Sequence, residues 1–281
     1  MGQDVLSFGK GGAGSIMGMV ITPGRQFKVL QQRGLKEPQT VLVYFYEGND
    51  FWNNLRYLRR HYNDHYDRER VLADDYFDAF LQDEYHRRVE GSIIAERIMT
   101  FGYIKGLWRS MFRDGKEPAV PGEVNRVWID GAPVAIPDQA QSPGLEFDKD
   151  EFRIAAHIAD RSLRVLKTIF PTADIHIVYI AAPLSLYEVA SDLVSVQTYL
   201  HRETLYPAVK VTEFSDRIRK KIGQVARRYQ VGFLDPTETL REAARQQAIH
   251  GPGDWKHFNE VGYRLLGRAI ADYLRAQPAD L

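Results

Sequence analysis

Asp254 and His257 stand three residues apart in DWKHFNEVGYRLLGRAIADYL, just before an amphipathic run. A histidine that takes a proton from a nucleophile needs its second ring nitrogen held by a carboxylate. One turn at a helix entrance supplies both groups from a single rigid segment. These residue types at this spacing suit a general base with its orienter, and the partner such a pair acts on is a serine hydroxyl. Spacing alone equally allows an Asp254 that merely organises its loop and a His257 that lies on the surface.

Two stretches in the first fifty residues also carry chemistry. VLVYFYEGND (41–50) reads as a buried strand ending in Gly48-Asn49-Asp50, and DVLSFGKGGAGS (4–15) as a strand running into a glycine-rich turn around Gly12. Asn49 suits two roles, a side-chain amide donor at the strand end and a cap for a helix opening at Asp50 or Phe51. Asp50 reads as structural, fixing the turn that presents Asn49. Gly9, Gly11 and Gly14 also fit G-x-G-x-x-G after a strand, the pattern that seats a dinucleotide pyrophosphate at a helix N-terminus. Three features oppose that reading: Pro23-Gly24 interrupts the following helix early, the next strand runs into Gly-Asn-Asp, and no acidic residue closes a second strand at the expected distance. His61 and His65 could share a metal on one helical face. Tyr62 stands where a zincin pattern needs glutamate, and the charge-rich surroundings favour a solvated face.

The elements that must position these groups alternate between apolar strands and helical periods, as in a parallel sheet covered on both faces. Strands are expected at 4–8, 41–46, 175–181 and 231–234, and helices near 26–33, 150–169, 213–229, 237–248 and 260–276, with Pro171, Pro183 and Pro236 as punctuation. The helix from Asp150 aligns Phe152, Ala155, Ala156, Ala159, Leu163, Leu166 and Ile169, and IHIVYIAA follows with the continuous apolar character of a central strand, which makes a βαβ unit. Residues 55–147 are denser in charge and tyrosine and read as an inserted cap of exposed helices. Within it, 93–113 is amphipathic, with Trp108, Met111 and Phe112 beside Lys105, Arg109 and Arg113. That pattern allows membrane-surface contact but fits a helix packed on the core better. Asp130-Gly131 between two alternating apolar runs predicts a two-residue hairpin turn.

In order and local context these blocks resemble the SGNH (GDSL-type) hydrolases, over residues 4–54 and about 148–276. The resemblance implies a three-layer α/β/α domain with a mostly parallel, flavodoxin-like sheet, here a single domain over 1–281 with an inserted helical cap and hairpin at about 55–147. It implies serine esterase chemistry, as acyl-ester hydrolysis or acyl transfer, on a small-molecule or polysaccharide acyl ester. Gly12 resembles the oxyanion-hole glycine, Asn49 the oxyanion-hole asparagine, and Asp254 with His257 the Asp-x-x-His block. No Gly-Asp-Ser follows an apolar strand, and the glycine block begins almost at residue 1, so the chain reads as truncated at its N-terminus. Ser15, Ser92 and Ser185 do not sit on the strand-to-helix turn such a nucleophile needs. The chemistry calls for no cofactor and no metal. The reading from a different class is a non-catalytic pseudoenzyme or binding module that kept the cleft without the nucleophile.

Composition bounds these readings loosely. The 281 residues are 44% apolar, enough to bury one large core. Lys plus Arg and Asp plus Glu each total 37, so there is no net charge to attract nucleic acid or an acidic membrane. With no cysteine, disulfides, zinc-thiolate sites and thiol nucleophiles are excluded. No run reaches the length of a membrane span and no signal peptide is visible. Localisation stays open.

Overall fold

The computed structural model describes residue 7 and residues 13–90, 122–200 and 202–277. The chain enters through a π-helical turn at Ile16–Ile21 that passes directly into α1, Thr22–Gln32. It continues through β1 (Thr40–Tyr46), α2 (Asp50–His61), α3 (Arg68–Val71) and α4 (Asp74–Tyr85). The hairpin β2 (Arg126–Ile129) and β3 (Ala132–Ala135) precedes the long helix α5 (Lys149–Ile169), β4 (Asp174–Ile180) and the short α6 (Pro183–Leu186). Three short strands follow, β5 (Glu188–Val189), β6 (Leu193–Ser195) and β7 (Leu205–Pro207). The chain ends with α7 (Val209–Arg228), β8 (Gly232–Leu234), α8 (Thr237–Gln246) and α9 (Glu260–Ala276).

The architecture is α/β. Among the described residues the parallel sheet has the order β1-β4-β8, with Phe45 opposite Tyr179 and Ile177 opposite Phe233. Small antiparallel sheets, β3-β2-β5 and β6-β7, are added beside it. The central strand β4 buries Ile175, Ile177, Val178 and Tyr179, so it is covered on both faces, which is why its sequence is continuously apolar rather than alternating. The expected strands at 41–46, 175–181 and 231–234 lie within a residue or so of the observed ones. Of the expected strand 4–8 only residue 7 is described, and it is not in a strand, while the amphipathic stretch 93–113 falls outside the described residues. Among those described, no helix is long and apolar enough to cross a membrane.

Helix α5 starts from a capping box in which the Asp148 carboxylate accepts from Glu151 N at 2.7 Å and the Glu151 carboxylate accepts from Asp148 N at 3.0 Å. Its predicted stripe is buried from Phe152 to Leu166, but so are Ile154, Ile158 and Arg161. The helix is covered on more than one face because α2 and α4 pack over it. Arg161 reaches Asp74 Oδ2 on α4 at 2.9 Å and also pairs with Asp78. Residues 55–61, the start of the expected cap, are the second half of α2, where Leu55 and Leu58 are fully buried. On α4, Phe77 and Leu81 are buried the same way. One apolar residue every three or four positions suffices to anchor a charge-rich helix.

The hairpin turn is as the sequence predicts. Asp130 and Gly131 both take positive φ, 51° and 71°, the pair of left-handed residues a type I′ turn needs. The first helix differs from expectation, since Pro23-Gly24 does not interrupt it. Proline at residue 23 falls in the opening turn of α1, where its missing N–H costs nothing, and the π-helical residues before it keep the path helical from Ile16 onward.

Candidate functional site

The carboxyl end of β1 runs through Glu47 into the Gly48-Asn49-Asp50 turn that opens α2. The Asp50 carboxylate folds back to accept the Tyr46 N–H at 2.8 Å, so it fixes this turn. Burial raises the Asp50 carboxyl to about 7 against the opposing pull of that N–H. Asn49 occupies the N-cap position, yet its side chain caps no backbone N–H. Its Oδ1 instead accepts from Asn53 Nδ2 one turn along the helix, at 3.2 Å. That bond orients the amide and commits the oxygen, which leaves the NH2 group as the donor end. Asn49 lines a narrow cleft together with Trp52, Ser142, Gly144 and Tyr199, with a free volume of about 10 Å³, room for roughly one water-sized group.

Beneath this turn lies a buried carboxylate that the sequence reading did not single out. Glu47 Oε2 accepts from Tyr179 Oη at 2.9 Å, Ala182 N at 3.2 Å and Ser215 Oγ at 3.2 Å, and Oε1 accepts from Ser185 Oγ at 2.7 Å. Donors from β4, α6 and α7 thus converge on the residue two before Asn49. Desolvation raises the Glu47 carboxyl to about 6, and the four donors hold it from rising further.

The second half of the site is a loop, residues 249–259, braced from behind. Tyr187 Oη accepts the N–H groups of Ile249 at 2.9 Å and His250 at 3.0 Å and lies 3.2 Å from His250 Nδ1. Burial depresses the His250 imidazole to about 3, so it stays neutral beside the Tyr187 hydroxyl. Asn259 closes the loop: its Nδ2 donates to Ala248 O at 2.8 Å and its Oδ1 caps α9 at Gly262 N, 3.1 Å. From this frame the two oxygens of Asp254 take separate tasks. Oδ1 accepts Lys256 N at 2.9 Å, and Oδ2 lies 2.7 Å from His257 Nδ1. With Nδ1 engaged, Nε2 of His257 is the ring atom available for proton transfer, on a side chain that is 64% exposed.

Tyr46 brings the two halves together. Its hydroxyl donates to Gln141 Oε1 and lies 3.4 Å from the carbonyl of Lys256, the residue before His257. Burial and then Tyr199 are the main causes that push this phenol well above its ordinary value, which keeps it a donor. Gln141 Nε2 donates in turn to Tyr199 Oη at 3.2 Å, and the Tyr199 ring stacks on Trp52, with centroids 5.3 Å apart and planes 13° from parallel. Asp254 and His257 therefore stand at the sheet end that carries Asn49.

Gly12 lies outside the described residues, as do Gly9, Gly11 and Ser92. The segment just after Gly12 packs on α2: Ser15 N donates to Asn54 Oδ1 at 2.6 Å, and a Cβ at Gly14 would come within 2.6 Å of that same oxygen. The described part of the glycine pattern thus serves close helix packing, one turn along from Asn49. Ser15 Oγ is held by Asn54 and Ser185 Oγ by Glu47, so neither is directed at His257. The described residues hold no group of three or more metal-ligating side chains. His65 is not on the helix of His61, because the chain turns away through Asn63 and Asp64 at positive φ.

Sequence reasoning missed Glu47, Tyr46, Gln141 and the Trp52–Tyr199 pair. Glu47 carried one signal, an acidic residue directly after an apolar strand where burial is expected. Gln141 and Tyr199 carried none, since each lies in a loop remote in sequence from Tyr46. Comparison with family models, curated proteins and solved structures returned no match.

Proposed function

We propose that this chain supplies the base, its orienter and the oxyanion donors of an SGNH-type acyl-ester hydrolase or acyltransferase whose serine block is not among these residues, on a three-layer α/β/α domain of flavodoxin-like order. The observation that supports the reading most is the Asp254–His257 contact of 2.7 Å on a braced loop touching Tyr46, at the strand end that presents Asn49. In this reading His257 Nε2 takes the proton of a serine hydroxyl as its oxygen bonds to the acyl carbon. Asp254 holds the tautomer and stabilises the imidazolium. The Asn49 amide and the Gly12 N–H receive the oxyanion, a task worth most where donors are fixed in advance and water is excluded. Collapse expels the alcohol with the proton from His257, and water or an acceptor hydroxyl then releases the acyl group. The substrate is a small-molecule or polysaccharide acyl ester, and the chemistry requires neither metal nor cofactor.

The natural gene product, assayed on 4-nitrophenyl acetate and labelled with a fluorophosphonate, tests this reading. Turnover that collapses in His257→Ala and Asp254→Asn, with label on a single serine, is expected. Turnover or labelling indifferent to both substitutions overturns it. A second reading, a binding module without nucleophile, draws on the commitment of Ser15 to Asn54 and of Ser185 to Glu47. It predicts no label and no turnover, with ligand still bound in the Asn49 cleft.

A further inference from the structure

We propose that a second site, the cleft between α4, α5 and α7, binds a small multiply charged anion. The cleft has a free volume of about 440 Å³, within the range of small-molecule sites, and lies apart from the Asn49 cleft with no lining residue in common. Its walls carry five cationic side chains against two carboxylates in a chain of zero net charge. The cations share helical faces: Lys149 and Arg153 are four apart on α5, and Arg217, Lys221 and Arg228 lie at i, i+4 and i+11 on α7.

The carboxylates neutralise this charge only in part. Asp74 is engaged by Arg161 at 2.9 Å, and Asp160 by Arg228 at 2.8 Å and Tyr229 Oη at 3.0 Å. Arg153 is shared with Asp150 at 3.2 Å. Lys149, Arg217 and Lys221 form no ion pair among the described residues, although their faces converge on one concavity. Like charges gathered in a cleft repel, and a counter-anion relieves that cost.

Arg217 is also held in place. Its Cζ lies 3.9 Å from the centroid of the Phe152 ring, a cation–π contact that holds the guanidinium without consuming its N–H donors. In the same wall Nε2 of His157 is buried without a hydrogen-bond partner. Three cations without an ion pair, the exposed Lys149 and Arg217 and the half-buried Lys221, ring one concavity between helices and match one small molecule with two or more phosphate or carboxylate groups.

Isothermal titration of the whole protein at low salt with tripolyphosphate, and separately with citrate, tests the site. Saturable one-to-one binding of either probe is expected. It should weaken at least ten-fold in Arg217→Ala/Lys221→Ala and by a smaller factor in Lys149→Ala, an exposed position that leaves folding undisturbed. Preference between the two probes assigns phosphate or carboxylate as the recognised group. His257→Ala should bind the probe as the parent does, which separates this site from the esterase reading. The proposal is overturned if neither probe binds saturably, if the folded variants bind as tightly as the parent, or if RNA or anionic vesicles bind without competition from either probe.

Discussion

The two halves of the candidate site are built by opposite means. The Asn49 half rests on burial: Glu47 sits beneath it with four donors, and Asp50 locks the turn from within. The His257 half rests on a surface loop in which the buried Tyr187 and His250 and the half-buried Asn259 brace the backbone, while His257 faces outward beside the partly buried Asp254. A group that must donate to a developing charge gains from being fixed and dry. A group that must shuttle a proton needs an open nitrogen. Substitutions should therefore separate the halves, with the exposed half governing rate and the buried half governing stability.

The sharpest break comes from His257→Ala, which should lower kcat of the active protein on the order of a million-fold, as loss of the base does in a triad. Its melting temperature should hold, because an exposed side chain away from special features costs within about 0.5 kcal/mol. A melting curve that collapses with the rate would show that the loop depends on His257 and would end the division.

Glu47→Ala should do the reverse. It leaves Tyr179, Ala182, Ser185 and Ser215 with unpaired buried donors, a cost of roughly 3 kcal/mol or more, measurable as a drop in the denaturant midpoint. Glu47→Gln should recover much of this, since its amide group can point at Ser185, whose hydroxyl also accepts.

Asn49→Ala probes the seam between the halves. On the proposed reading its loss costs about 10²- to 10³-fold in kcat, as removal of an oxyanion donor does. Because Asn49 caps no backbone N–H, unfolding should move little. A large stability loss with an unchanged rate would reassign Asn49 to the helix.

A further effect is pH-dependent and belongs to the Asn49 half alone. Glu47 is raised from 4.5 to about 6 and Asp50 from 3.8 to about 7, so the folded state binds both protons more tightly than the unfolded chain. The stability this confers is full below the unfolded values and is lost as pH rises through 6 and 7, by about 2 kcal/mol for Glu47. Chemical denaturation from pH 4 to 8 should show that fall, shallower in Glu47→Gln. A stability that instead rises steadily over this window would place the controlling carboxylates elsewhere.

The sequence by itself determined the local features. The parallel core strands were readable because a strand covered on both faces must be continuously apolar, as in DIHIVYI. The Asp130-Gly131 turn was readable because few residue pairs accept two positive φ angles, and the Asp254–His257 contact because three residues of one turn fix the separation. The first helix was misjudged at Pro23, where a breaker at an opening turn looks the same in sequence as one that ends a helix. Only the tertiary structure decided the rest. Glu47 matters because β4, α6 and α7 bring donors to it from 132 to 168 residues away. Tyr46 links the halves because Gln141 and Lys256 arrive from separate loops, and the basic cleft exists because the charged faces of α5 and α7 turn toward one another. Periodicity records which face of an element is buried, but which partner meets that face is a property of the packed chain.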